Sequence, residues 1–409
     1  MARLTHFWAS ILWVLLLAIP VVTRAQAGAD EPNLAPVITP AEVNKSGKHL
    51  FEDIQPGDQL RTAKRDRIER FGLASDDKAP VITPEQFLNP KKGGCENGCC
   101  DDTTCCNVCE EAPKWGIFAD FLYLHPRNAD VAYALPQIGI GLGSAPAGPV
   151  VTLDPQYEPG IRAGIYGYLN DHTRIGAAYT RFESRAVSAI DVTGTPNTIN
   201  PLLIFPGSVN LGFLGQQANA QYDIDFQLVD VQLERTVKNC DQCWWGYLVG
   251  ARYGVLDQQL RAVYNFAPII GTKTVDTTVN FDGAGPRIGL QGEHRISPCG
   301  KWTVFGRGIA NFLVGESRST YRQTNQLGAV EVASAFSEDM IVSLLELEVG
   351  VAWHSSSGRL RIWGGYMVNA WLNTTTTPEW INAVQSSTYH GLGDTITFDG
   401  LMTGFELRF

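Results

Sequence analysis

The stretch TFDGLMTGFELRF, residues 397–409, alternates Leu401, Thr403, Phe405, Leu407 and Phe409 with Gly400, Met402, Gly404, Glu406 and Arg408. Strict alternation of this kind describes a strand with one apolar and one mixed face. A run of about ten residues is also the length that crosses a bilayer as a tilted strand. Last residues usually fray, whereas the closing strand of a membrane barrel must pair with the first. Phe405, Leu407 and Phe409 are therefore expected to be the C-terminal signal met by the barrel-assembly machinery. The competing expectation for this stretch alone is the edge strand of a soluble sandwich.

Composition narrows the choice. The 409 residues are 44% hydrophobic and only 18% charged, with 41 glycines and 10 tryptophans, a balance that favours strand and turn over helix. Outside the N-terminus no run approaches the roughly eighteen apolar residues of a membrane helix. A barrel needs no such run, because its lipid-facing and lumen-facing residues alternate. The formal charge of −10 disfavours nucleic acid as a partner.

The chain is expected to fall into three parts. Residues 1–27 read as an export signal: Arg3 and His6 precede the apolar stretch Phe7 to Ile19, and Ala25-Gln26-Ala27 fits a cleavage site near Ala27. Residues 28–112 form a Pro-rich, acidic extension of low structure, expected in the periplasm. In it APVITPAE (Ala35–Glu42) recurs as APVITPEQ (Ala79–Gln86), either a twice-presented motif for a cell-wall or periplasmic partner or a duplicated linker. The extension closes on Cys95, Cys99, Cys100, Cys105, Cys106 and Cys109. In an exported chain these six, with Cys240 and Cys243, are disulfide candidates, within the chain or in a linked homo-oligomer. Their spacing lacks the two separated pairs of a zinc site. Cys299 makes the total of nine odd.

Residues 113–409 carry the barrel. Alternation predicts ten strands, near 115–125, 160–169, 173–185, 219–236, 244–257, 283–296, 302–315, 341–354, 359–372 and 397–409. The stretch YDIDFQLVDVQLERTV, 222–237, changes hydrophobic phase between Leu228 and Val229, which predicts a bulge. The phase of 302–315 is ambiguous. Connections after every second strand are short, at 170–172, 238–243, 297–301 and 355–358, and the others are long. Short and long links alternate this way in outer-membrane barrels, with tight periplasmic turns and extended outer loops. Trp115, Trp244, Trp245, Trp302, Trp353 and Trp363 fall near one rim, as an interfacial girdle would. The fold class expected is all-β, a transmembrane antiparallel up-and-down barrel of about ten strands (range eight to twelve) in contact with outer-membrane lipid.

WGIFADFLYLHPRNADVAYAL (Trp115–Leu135), YDIDFQLVDVQLERTV and TGFELRF resemble the Legionella-type major outer-membrane protein family of pore-forming barrels. The resemblance spans about residues 115–409 and implies a pore-forming outer-membrane protein, abundant and structural. The extension at 28–112 departs from that pattern.

If the apolar faces meet lipid, the lumen is lined by Asp120, Arg162, Arg252, Arg287, Glu293, Arg295, Glu346, Glu348, Arg361, Glu406 and Arg408. These charges either border a narrow water-filled passage or pair across the interior and close it. Eight strands already make an interior that side chains fill, and open porins use about sixteen. No cofactor, metal or catalytic residue is expected. The barrel histidines His125, His172, His294, His354 and His390 read as interfacial or turn residues, and no Gly-x-Ser-x-Gly, phosphate loop or HExxH occurs. Two functions remain: a narrow pore for small polar solutes, or a structural barrel cross-linked to the envelope through its cysteines. An outer-membrane hydrolase is a distant third.

Overall fold

Each stretch of alternating sequence runs as strand, and ten strands pair edge to edge into a closed antiparallel barrel. The structure, a computed structural model, describes residues 114–139, 144–208, 215–239, 242–266, 271–297 and 301–409. The signal stretch, the extension 28–112 and its six cysteines lie outside the described residues, as do Cys240 and Cys299. Cys243 is described.

In chain order the first strands are β1 (Trp115–Arg127), β2 (Val131–Ile138), β3 (Ala145–Pro146), β4 (Val151–Leu153), β5 (Glu158–Asn170), β6 (Thr173–Asp191) and β7 (Asn197–Pro201). They are followed by β8 (Gly215–Asn239), β9 (Cys243–Phe266), β10 (Gly271–Arg295), β11 (Trp302–Thr324), β12 (Val330–His354) and β13 (Leu360–Thr374). Helix α1 (Thr377–Ser386) precedes the last strand, β14 (Asp394–Arg408). The barrel runs β1-β5-β6-β8-β9-β10-β11-β12-β13-β14 and back to β1, while β2, β3, β4 and β7 belong to the outer connections.

Closure rests on the chain's last strand. β14 pairs with β1 from Gly116↔Arg408 to Arg127↔Thr397, so no edge is left between them. The carbonyl of Phe409 accepts from the amides of Lys114 and Trp115 at 2.6 and 3.2 Å. The rings of Trp115 and Phe409 stack 4.3 Å apart.

The strands are longer than the alternation predicted, because their apolar face changes sides. On β9 the odd residues face outward along its whole length: Trp245, Tyr247, Val249, Ala251, Tyr253 and Val255, then Asp257, Gln259, Arg261 and Asn265. The even residues face inward, with Arg252 low in the barrel and Leu256, Leu260 and Tyr264 above it. Neighbouring strands switch at the same height: Asp225 pairs with Asp257, Val255 with Asp282, and Glu316 with both Asp282 and Asp339. Below this contour the outside is apolar and the inside charged; above it the outside is charged and the inside apolar. The contour is the outer membrane surface. The lipid-facing band from Trp245 to Val255 suits the roughly 25 Å apolar height of such barrels.

This switch corrects two expectations. β8 pairs with β6 in unbroken register from Arg235 to Gln217, so there is no bulge at Leu228–Val229. Tyr222, Ile224, Phe226, Leu228, Asp230 and Glu234 all point inward; only the chemistry of the interior changes. The long links expected at 258–282 and 316–340 are mostly strand, and 267–270 and 325–329 are all that separates β9 from β10 and β11 from β12. On β11 the odd residues, Thr303 to Gln323, face inward, which resolves its ambiguous phase.

The tryptophan girdle is also smaller than expected. Trp115, Trp245, Trp302 and Trp353 face outward near the inner rim, but Trp244 and Trp363 turn into the lumen. Toward the outer surface Tyr123, Tyr179 and Tyr253 occupy outward positions at or just below the level where the charges begin, forming a second aromatic belt.

Above the contour the interior is a hydrophobic core. Phe226 contacts Phe182, Phe398 and Trp371 at ring separations of 5.4, 4.7 and 6.1 Å, and all four are fully buried. Helix α1 closes this core, burying Trp380, Ile381 and Val384. Its first turn is tied to β9 through Gln258, which accepts from Tyr222 Oη at 2.8 Å and from the Thr377 amide at 3.1 Å. Ser387 ends the helix in the left-handed conformation at φ 55°.

Candidate functional site

Inside the membrane band, inward positions on all ten barrel strands carry charge, and the charges meet. Arg162, Arg174, Arg252, Arg287, Arg307, Arg361 and Arg408 face Asp120, Asp230, Glu234, Glu293, Glu346, Glu348 and Glu406. A charge taken out of water is tolerated only when paired and hydrogen-bonded. Here the seven arginines balance the seven carboxylates, so these groups give the lumen no net charge.

The network is layered. Nearest the hydrophobic core, Arg252 grips Asp230 in a two-pronged pair at 2.5 and 2.7 Å and reaches across to Glu346. Arg287 lies between the same two carboxylates, 3.5 Å from Asp230 and 3.2 Å from Glu346, and donates to Asn311 at 3.1 Å and Gln232 at 3.0 Å. Below it, Arg162 donates to Asp120 at 2.6 Å and to Glu348 at 2.5 Å. Gly404 leaves room for the Asp120 carboxylate, which any side chain there would displace. Near the periplasmic rim Arg174 pairs with Glu234 at 2.6 Å, Arg408 with Glu406 at 3.0 Å, and Tyr166 donates to Glu406.

Of the lumen residues expected from sequence, Asp120, Arg162, Arg252, Arg287, Glu293, Glu346, Glu348, Arg361, Glu406 and Arg408 lie inside the barrel and in this network. Arg295 does not: it stands exposed as the last residue of β10, at the rim. Sequence reasoning did not name Asp230 and Glu234 on β8, nor Arg307, which sits on the strand of ambiguous phase. Arg174 was missed as well, although it shares the inward phase of its strand with Thr180 and Phe182.

Beneath the Arg162 layer a cavity of about 120 Å³ reaches toward the periplasmic rim. Phe118, Trp244, Phe305 and Trp363 are among its apolar walls, and five arginines and five carboxylates line it, with Arg307, Arg361, Glu234 and Glu406 among them. The guanidinium of Arg361 lies over the rings of Phe305 and Trp363, 5.2 and 4.8 Å from their centroids.

The histidines divide by position. His172, His294 and His390 are exposed, and His125 rests 4.9 Å from the Tyr157 ring. His354 approaches Glu293 at 2.7 Å, and the Thr303 hydroxyl donates to the same carboxylate. Among the described residues no group of three His, Cys, Asp or Glu side chains is arranged to hold a metal ion.

No curated protein matches the chain. The outer membrane protease OmpT from Escherichia coli shares 12% identity over 72% of this chain and 97% of its own, with a TM-score of 0.42. The toluene transporter TodX of P. putida shares 9% over 73% and 91%, with a TM-score of 0.29. Ail, the attachment invasion locus protein of Yersinia pestis, shares 9% over 73% and 100%, with a TM-score of 0.21. A protease, a transporter and an attachment protein at this distance lend no activity to this chain. Residues 107–408 match the family described as Legionella pneumophila major outer membrane protein precursor. That match runs from just ahead of β1 to the end of β14, so the chain belongs to the Legionella major outer membrane protein family and is an outer-membrane β-barrel protein.

Proposed function

We propose that this protein is a structural envelope barrel, closed along its axis, which holds the cysteine-rich extension at the periplasmic face of the outer membrane. The supporting observation is the continuous filling of the lumen. Arg162 bridges to Glu348 across the interior, Arg252 and Glu346 repeat the bridge one layer up, and the Phe226–Trp371–Phe398 cluster lies above both. The block Cys95–Cys109 comes directly before β1 in the sequence, and this reading takes the start of β1 to be the periplasmic end of the barrel. Its role is to cross-link barrels to one another or to an envelope partner through disulfides. On this reading the barrel is not an enzyme; in its His354–Glu293–Thr303 cluster the Thr303 hydroxyl donates to Glu293, and Thr303 is 3% exposed.

A second reading, a narrow pore for small polar solutes, is favoured by the cavity of about 120 Å³ behind the periplasmic rim. It requires the salt-bridged layers to part. Planar-bilayer recordings of the purified protein, run beside non-reducing gels of the native envelope, separate the two. The structural reading expects no stepwise conductance and oligomers that collapse under reductant. Stepwise channels from an unmodified barrel would replace it with the pore.

A further inference from the structure

We propose that the periplasm-facing cavity is a binding site for a small monoanionic oxyanion, a carboxylate or a phosphate, held by Arg307 and Arg361. The inference is independent of whether the barrel conducts.

These two arginines differ from the others in the lumen. Arg162, Arg174, Arg252 and Arg408 each donate a hydrogen bond to a carboxylate at 3.0 Å or less, and Arg287 donates to Gln232 and Asn311 at 3.0 and 3.1 Å. Arg307 comes only within 4.0 Å of Glu234 and Glu348, and Arg361 only within 3.5 Å of Glu293 and 3.7 Å of Glu406. The Nε of each is buried and has no hydrogen-bond partner among the described residues. The carboxylates they approach are already engaged: Glu234 accepts from Arg174, Gln232 and Gln291, Glu348 from Arg162, Glu406 from Arg408, and Glu293 meets His354 and Thr303.

An arginine offers a planar fork of donors that matches a carboxylate or phosphate, and buried donors left without acceptors are costly. Both forks border one cavity. The Arg361 guanidinium lies over the ring of Phe305, which is two positions from Arg307 on the inward face of β11. The volume of about 120 Å³ is somewhat below that of an engineered cavity of about 150 Å³ that admits benzene, which limits the ligand to a handful of heavy atoms. Because the surrounding charges balance, a single negative charge suits the site better than a dianion.

Titration calorimetry of the purified mature protein in detergent, with sodium acetate and with sodium phosphate in separate runs at constant ionic strength, tests this. The expected result is saturable binding of one equivalent per barrel for at least one anion. Which anion saturates identifies carboxylate or phosphate as the natural chemistry. Arg307→Gln with Arg361→Gln should weaken binding about tenfold or more, while unboiled protein keeps the fast gel mobility of a closed barrel. If the double variant does not fold, Arg361→Gln alone should still weaken binding. No saturable uptake of either anion, or unchanged affinity in a folded variant, would leave water as the occupant and overturn the proposal.

Discussion

Arg162 on β5 and Glu348 on β12 are joined Nη1 to Oε1 at 2.5 Å, although their strands lie on facing walls of the barrel and share no register. The bond crosses the lumen. It gives the interior of this barrel a direct polar contact between facing walls.

That bond makes Arg162 a point of vulnerability. Arg162→Met leaves Asp120 and Glu348 as buried carboxylates without their main partner, at a cost of about 3–5 kcal/mol. Combining it with Asp120→Asn and Glu348→Gln should recover most of the loss. Urea unfolding followed by gel mobility measures both, and equal destabilisation of the single and triple variants would contradict the pairing.

The height of the membrane surface follows from the switch on β9. Val249→Arg, on the outward face within the apolar band, should cost about 2–4 kcal/mol near the bilayer midplane. Gln259→Arg, on the same face above Asp257, should cost almost nothing. Insertion yield and urea midpoints in lipid vesicles compare them. Similar penalties at the two positions would mean that the boundary is misplaced.

Closure depends on the last residue through two different contacts. Phe409→Ala removes the stack on Trp115 and keeps the backbone acceptor, for a loss of about 0.5–1.5 kcal/mol. Deleting Phe409 also removes the acceptor of the Lys114 and Trp115 amides and should cost more. Refolding yields of the two variants in detergent rank the contacts.

The outer cap should loosen as pH rises. Burial pushes the Glu379 carboxyl on α1 above its ordinary value, and the charge of Asp394 adds to the shift. A carboxyl raised in the folded state favours the fold while protonated and loses that advantage as pH climbs through the raised value. Limited proteolysis between β13 and β14 should therefore be faster at neutral pH than below the carboxylate range. Glu379→Gln should flatten that dependence, and an unchanged dependence would remove Glu379 as its source.

Sequence alone was sufficient for the architecture. Period-two alternation located all ten barrel strands, because lipid outside and charge inside impose opposite demands on successive residues. Ten of the eleven proposed lumen residues fall inside for the same reason. Legibility ended where the environment inverted. From Tyr222 to Leu228 the apolar residues still point inward, but water has replaced lipid on the outside, so the pattern read as a bulge and the outer half-strands read as loops.

What sequence determined by itself was which residues share a face, since that depends only on the pleat and the medium each face meets. Only the tertiary structure decided that the charged face closes on itself. Arg162 and Glu348, 186 positions apart, meet because a ten-strand barrel is narrow enough for their side chains to span it, and the distance between walls is written in no local pattern.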